Sequence, residues 1–163
     1  MASSQLEQIF NFRRIDSRLT ISGQPSEEQL ALLRDDGVEV IVNLGLHSHE
    51  KALPDEPASC ARLGLEYIHI PVAFDAPTEK DYQDFCEVMD MHQNKRLHVH
   101  CIVNARVTAF FRRYAAETGL IDMDEAAALL ESVWRPGGVW ADFLGNDERR
   151  MQDHKFCGRD YSM

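Results

Sequence analysis

The apolar positions of this chain alternate between two spacings, and the alternation predicts the elements. Arg18 to Ser22 switches polar and apolar residue by residue and ends at Gly23, which reads as a short strand and a turn. After Pro25, Ser26-Glu27-Glu28-Gln29 has the form of a helix cap with acidic residues in the first turn. The helix carries Leu30, Leu32 and Leu33 and stops near Gly37. Val38 to Leu44 is dense in β-branched residues, as in a strand buried on both faces. These three pieces form one strand-helix-strand unit.

His47 to Pro57 is polar and contains proline, so it reads as an exposed loop. Ala58 to Leu63 is a short helix closed by Gly64, and Leu65 to Val72 returns as a strand. Thr78 caps a helix running to Met91, whose inward positions are Tyr82, Phe85, Val88 and Met89. Leu97 to His100 is a further strand. Val107 to Glu117, Asp124 to Trp134 and about Val139 to Met151 read as helices, the first ending before Gly119 and the second before Pro136-Gly137-Gly138. The expected fold class is α/β, with a mainly parallel central sheet of four to five strands, helices on both faces and a helical C-terminal part. The expected organisation is one domain over residues 1–151 and a loose tail over 152–163.

Composition changes this picture only by exclusion. With 163 residues, 44% hydrophobic and 27% charged, the chain suits one soluble core. Nothing near the N-terminus resembles a secretory leader and no apolar stretch is long enough for a membrane helix, so a cytoplasmic protein without a membrane partner is expected. The four cysteines, Cys60, Cys86, Cys101 and Cys157, form no Cys-x-x-Cys pair and are expected as free thiols. A net charge of -10 argues against nucleic acid as a partner. Sequence leaves the oligomeric state open.

Candidate chemistry gathers where the last strand ends. In open α/β sheets ligands bind beyond the carboxyl ends of the strands, and His98-Val99-His100-Cys101-Ile102-Val103-Asn104-Ala105-Arg106 leaves one such end. Backbone amides of Ile102, Val103, Asn104 and Ala105, with the positive end of the following helix, favour a thiolate at Cys101 and an anion beside it. Arg106 can fork two donors onto that anion. The pairs His47/His49 and His98/His100 have the spacing of paired metal ligands, but no third ligand is placed, and for His100 a core imidazole bonded to backbone is the simpler reading. Trp134, Trp140, Phe110 and Phe111 are at core spacing, and Arg112-Arg113 and Arg149-Arg150 read as solvated helix charges.

His-Cys, a short loop, Arg and an apolar helix together resemble the protein tyrosine and dual-specificity phosphatases. Ser22-Gly23-Gln24-Pro25, Val42-Asn43-Leu44, Pro54-Asp55-Glu56, Tyr67-Ile68-His69-Ile70-Pro71-Val72 and His100-Cys101 follow the order of a bacterial phosphatase-like family, also known fused to β-lactamase-like hydrolases. The resemblance covers roughly Leu19 to Tyr114. It implies a cysteine-phosphatase fold and a phosphate monoester hydrolase needing neither metal nor organic cofactor. Cys101 would attack phosphorus, Arg106 would bind the equatorial oxygens and Asp75, in Ala73-Phe74-Asp75-Ala76-Pro77, would be the general acid. The substrate would be a phosphorylated protein or small molecule.

Two departures keep rivals in view. Four residues separate Cys101 from Arg106 where classical phosphatases have five, which removes one amide and resembles the loop of rhodanese sulfurtransferases, persulfide carriers on the same Cys. The hydroxyl that the family places after Arg is replaced by Val107, with Thr108 one residue on. A sulfurtransferase and a catalytically inactive phosphate-binding module are therefore the alternatives.

Overall fold

The computed structural model describes residues 5–157. Its central sheet has the order β1-β2-β5-β3-β4, with β1 at Arg13–Arg14, β2 at Leu19–Ser22, β3 at Val40–Asn43, β4 at Glu66–His69 and β5 at Leu97–His100. The strands β2, β5, β3 and β4 pair in parallel, and the edge strand β1 is antiparallel to β2. The sheet is thus mainly parallel and five-stranded, with an antiparallel edge. The middle strand β5 takes Leu97, His98, Val99 and His100 fully inside, as a strand covered on both faces must.

Alternate residues of β3 feed two separate cores, because side chains of a strand point to opposite faces. Val40 and Val42 join the larger cluster under helices α3 (Glu79–Met91) and α4 (Ala105–Thr118), whereas Ile41 joins Leu30, Leu33 and Cys60 under α1 (Glu27–Asp35) and α2 (Glu56–Arg62). The helix starts follow their caps. Ser26 and Gln29 close a capping box on α1, Thr78 and Asp81 close one on α3, and Asp55 accepts from the Ala58 amide at 3.2 Å to begin α2.

The C-terminal part consists of α5 (Met123–Glu131), α6 (Gly138–Leu144), a 3-10 turn at Asp147–Arg149 and a two-stranded ribbon of β6 (Trp134–Arg135) with β7 (Lys155–Phe156). The helix expected to run to Trp134 ends at Glu131, leaving Trp134 in β6, and two further differences follow. Gly145, at φ 73°, ends α6 in a left-handed cap, so the helix expected to reach Met151 stops six residues after it starts. Residues 155–156 fold back as β7, stacking Phe156 on Trp134 at 5.6 Å; the rest of the expected tail, 158–163, lies outside the described residues. Trp134 and Trp140 are completely buried, so their core reading holds.

Candidate active site

Parallel pairing brings the last residues of four strands into one row, since Ser22 and Asn43 both pair with His100 and Asn43 pairs with His69. The motif segments quoted above therefore converge on the carboxyl edge of the sheet. His100 is fully buried; its Nδ1 donates to the Cys101 carbonyl at 3.0 Å and its Nε2 to Glu56 Oε2 at 2.6 Å. Both ring nitrogens thus face acceptors, a backbone carbonyl and a carboxylate. Gln24 Nε2 donates to the other Glu56 oxygen at 2.8 Å. Burial alone would raise the Glu56 carboxyl; the His100 charge and hydrogen bond, with the Gln24 bond, outweigh it and hold the carboxyl below its ordinary range.

Sequence reasoning missed Glu56, which falls in the stretch expected to be an exposed loop but is 2% exposed. The available signal was its place in the Pro54-Asp55-Glu56 motif, next to the Asp55 cap that turns it inward. A second group fixes the turn after β3. Asn43 Oδ1 accepts from the Gly45 amide at 2.8 Å, and Asn43 Nδ2 donates to the Tyr67 hydroxyl, which donates to His47 Nε2 at 2.7 Å. His69 Nε2 donates to the Gly45 carbonyl, and the His47 ring stacks on His69 at 3.9 Å.

Past Cys101, the backbone carbonyls point outward. Cys101 O takes the His100 bond, Ile102 O accepts from the Gln24 amide at 3.0 Å, and Val103 O accepts from Asn11 Nδ2 at 2.8 Å. Gly23 permits the Gln24 contact, because a Cβ there would lie 2.5 Å from Ile102 O. Among the described residues, the amides of Ile102, Val103, Asn104, Ala105 and Arg106 have no backbone acceptor. Asn104, at φ 74°, turns the chain left-handed into α4 and makes no side-chain cap, so the helix N-terminus is left open.

Arg106 enters from the first turn of α4 and is 1% exposed. Its Nη1 donates to Val72 O at 2.9 Å, its guanidinium lies 5.7 Å from the Phe74 ring centroid, and Nε and Nη2 are buried without a partner. Buried donors are rarely left in this state, and two on one guanidinium suit an anion. Arg106 lines a cavity of about 560 Å³ with Asp75, Phe74, His49 and Glu50. The structure thus brings Arg106 and Asp75 to one space, Asp75 being exposed at its rim. Cys101 is completely buried in the larger core and does not line that cavity. Ile102 and Val103 wall a separate hollow with Gln24 and Lys51.

The other candidates are placed elsewhere. The Thr108 hydroxyl donates to the Asn104 and Ala105 carbonyls and accepts from Trp134 Nε1 at 3.2 Å, so it is held inside the helix packing. His98 bonds Thr20 through Nδ1 and Ser22 through Nε2, each at 2.7 Å, and burial holds it well below the ordinary imidazole range as a neutral core residue. His100 likewise has no free ring nitrogen for a metal. The Cys60 thiol is pushed up to about 12 by burial and then by Glu56, and the Cys86 thiol is raised by burial. Arg113 pairs with Glu79 and Glu117 on the border of a larger cleft of about 760 Å³, which none of the loop residues reaches.

Comparison with known proteins agrees with this architecture. Residues 6–127 match the family described as DSP-PTPase phosphatase fused to NAD+ kinase. A β-lactamase hydrolase-like protein of Xylella fastidiosa is 31% identical over 118 residues, which are 71% of this chain; the chain spans only 27% of that relative's length. A candidate phosphatase of Shewanella putrefaciens CN-32 superposes with a TM-score of 0.78 at 31% identity, covering 87% of this chain and 93% of that one. Pseudomonas aeruginosa TpbA, solved with phosphotyrosine, shares the fold at a TM-score of 0.61 and 17% identity, over 75% of this chain and 72% of its own. The fold is that of the cysteine phosphatases, and the chain belongs to the DSP-PTPase family whose members are described as fused to NAD+ kinase.

Proposed function

We propose that the protein hydrolyses phosphate monoesters through Cys101. The observation that carries this reading is the set of unpaired donors after β5: five amides without backbone acceptors and the buried Nε and Nη2 of Arg106. On this reading those donors would close as a cup around a tetrahedral dianion. The Cys101 thiolate attacks phosphorus; the phosphorus-oxygen bond to the leaving alcohol breaks as Asp75 delivers a proton to that oxygen. Water, deprotonated by Asp75, then attacks the cysteinyl-phosphate, releasing phosphate and restoring the thiolate. The sulfur is sealed from solvent, so the reading includes a small opening of the cup before attack. Substrate identity beyond a phosphomonoester, a cytoplasmic location and a single domain belong to this proposal.

A second reading, binding without turnover, is favoured by the burial of Cys101 and by the Thr108 hydroxyl being engaged with Asn104, Ala105 and Trp134. One experiment separates the two. Cys101→Ser is expected to abolish aryl-phosphate hydrolysis while retaining tungstate binding. Retained turnover rules out Cys101 as nucleophile, and tungstate binding by an inactive native protein selects the binding module. Sulfur transfer from thiosulfate to cyanide, assayed alongside, would instead select the persulfide carrier.

A further inference from the structure

We infer that Asn11 is a positioning residue for the anion cup, aiming its amides from outside and taking the place of the glycines that the loop lacks. The inference rests on the anion-binding reading above. In a trans peptide the carbonyl and the following N–H point in opposite directions, and among the described residues every peptide is trans. Fixing the Val103 carbonyl on Asn11 Nδ2 at 2.8 Å therefore turns the Asn104 amide away from Asn11. The Ile102 carbonyl, held by the Gln24 amide, likewise turns the Val103 amide away from Gln24, and the Cys101 carbonyl, held by His100, turns the Ile102 amide away from that ring. Three consecutive amides are thus each oriented by a donor outside the loop, two from the sheet edge and one from the N-terminal segment.

The contact is reciprocal. Asn104 Nδ2 donates to the Asn11 carbonyl at 2.9 Å, across 93 positions of sequence. Asn11 and Asn104 are the two non-glycine residues of the described chain with positive φ, at 51° and 74°. Asparagine tolerates that region better than most residues but does not select it. The Asn104 side-chain bond supplies the selection, holding the left-handed turn that opens α4. The adjacent Phe10 carbonyl accepts from the Gly23 amide at 2.7 Å, which seats the N-terminal segment on the β2 turn independently of Asn11. Losing the Asn11 side chain would then loosen the cup without releasing the segment.

The test uses the full chain and tungstate as probe. Asn11→Gly removes the carboxamide but leaves the left-handed backbone free; Asn11→Asp keeps the shape and replaces the donor with an acceptor facing Val103 O. Calorimetric tungstate affinity is expected to fall about fivefold to tenfold in both, the worth of one hydrogen bond in the alignment. Melting temperature is measured in parallel. A lowered melting temperature with unchanged affinity means a structural role only and overturns the inference. Should Asn11→Asp fail to fold, Asn11→Gly decides the matter alone. If native protein binds no tungstate, the anion-cup reading itself fails; if it binds and both variants match it, only the role of Asn11 fails.

Discussion

At the scale of single residues, Glu56 occupies a place where a carboxylate is costly, enclosed at 2% exposure. It stays ionised because His100 and Gln24 give both oxygens a donor. A carboxyl held below its ordinary value of 4.5 contributes stability that is complete above that value and is lost as pH falls through the lower, folded one. Glu56→Gln is expected to cost about 2 kcal/mol at neutral pH, as for hydrogen bonds to charged groups. Urea unfolding of both proteins should show the gap narrowing as pH is taken down past the ordinary carboxyl value and the native carboxylate takes up its proton. A gap that is constant into acid would remove the charged pair from the account.

Among the elements, the C-terminal helices determine how the loop bearing Asp75 is held. Trp140 Nε1 donates to the Phe74 carbonyl at 2.5 Å, and Phe74 lies between Trp134, Trp140 and the Arg106 guanidinium. Trp140→Phe is expected to destabilise by about 1–3 kcal/mol through the lost bond and volume. Aryl-phosphate kinetics should then show a fall in kcat larger than any rise in KM, since the acid loop loses its tether more than the cup loses donors. Equal effects on both would separate the loop from the chemistry.

The order of these elements was legible in the chain because Ser26, Thr78 and the β-branched run before Leu44 each obey a local rule. The site was legible in part: Cys101 and Arg106 stand at a strand-to-helix junction that periodicity marks. Gln24 and Glu56 stand in motifs, but their bonds to each other and to His100 join distant segments, which no local spacing encodes. The β6 and β7 ribbon was missed for a similar reason, since two-residue strands carry no period.

For the whole molecule, charge works against the proposed substrate. The chain carries a net charge of -10, and Glu50 and Asp75 line the cavity that Arg106 reaches. An approaching phosphate dianion is repelled at long range and captured only at contact. Sodium chloride should therefore raise kcat/KM, by about twofold to threefold between about 10 mM and 150 mM, as the Debye length shrinks from about 30 Å to about 8 Å. A steep fall over the same range would point to steering by a basic surface instead.

The clamp joining Asn11 to Val103 and Asn104 also bears on the birth of the protein. Its partners lie 92 and 93 positions apart, so the segment made first waits on the ribosome for more than half of the chain before its counterpart emerges. Closure over such a separation is slow relative to helix formation. A nascent chain halted before Val103 lacks both partners of Asn11, so on the proposed reading the anion cup can close only once β5 and the loop after it have been made.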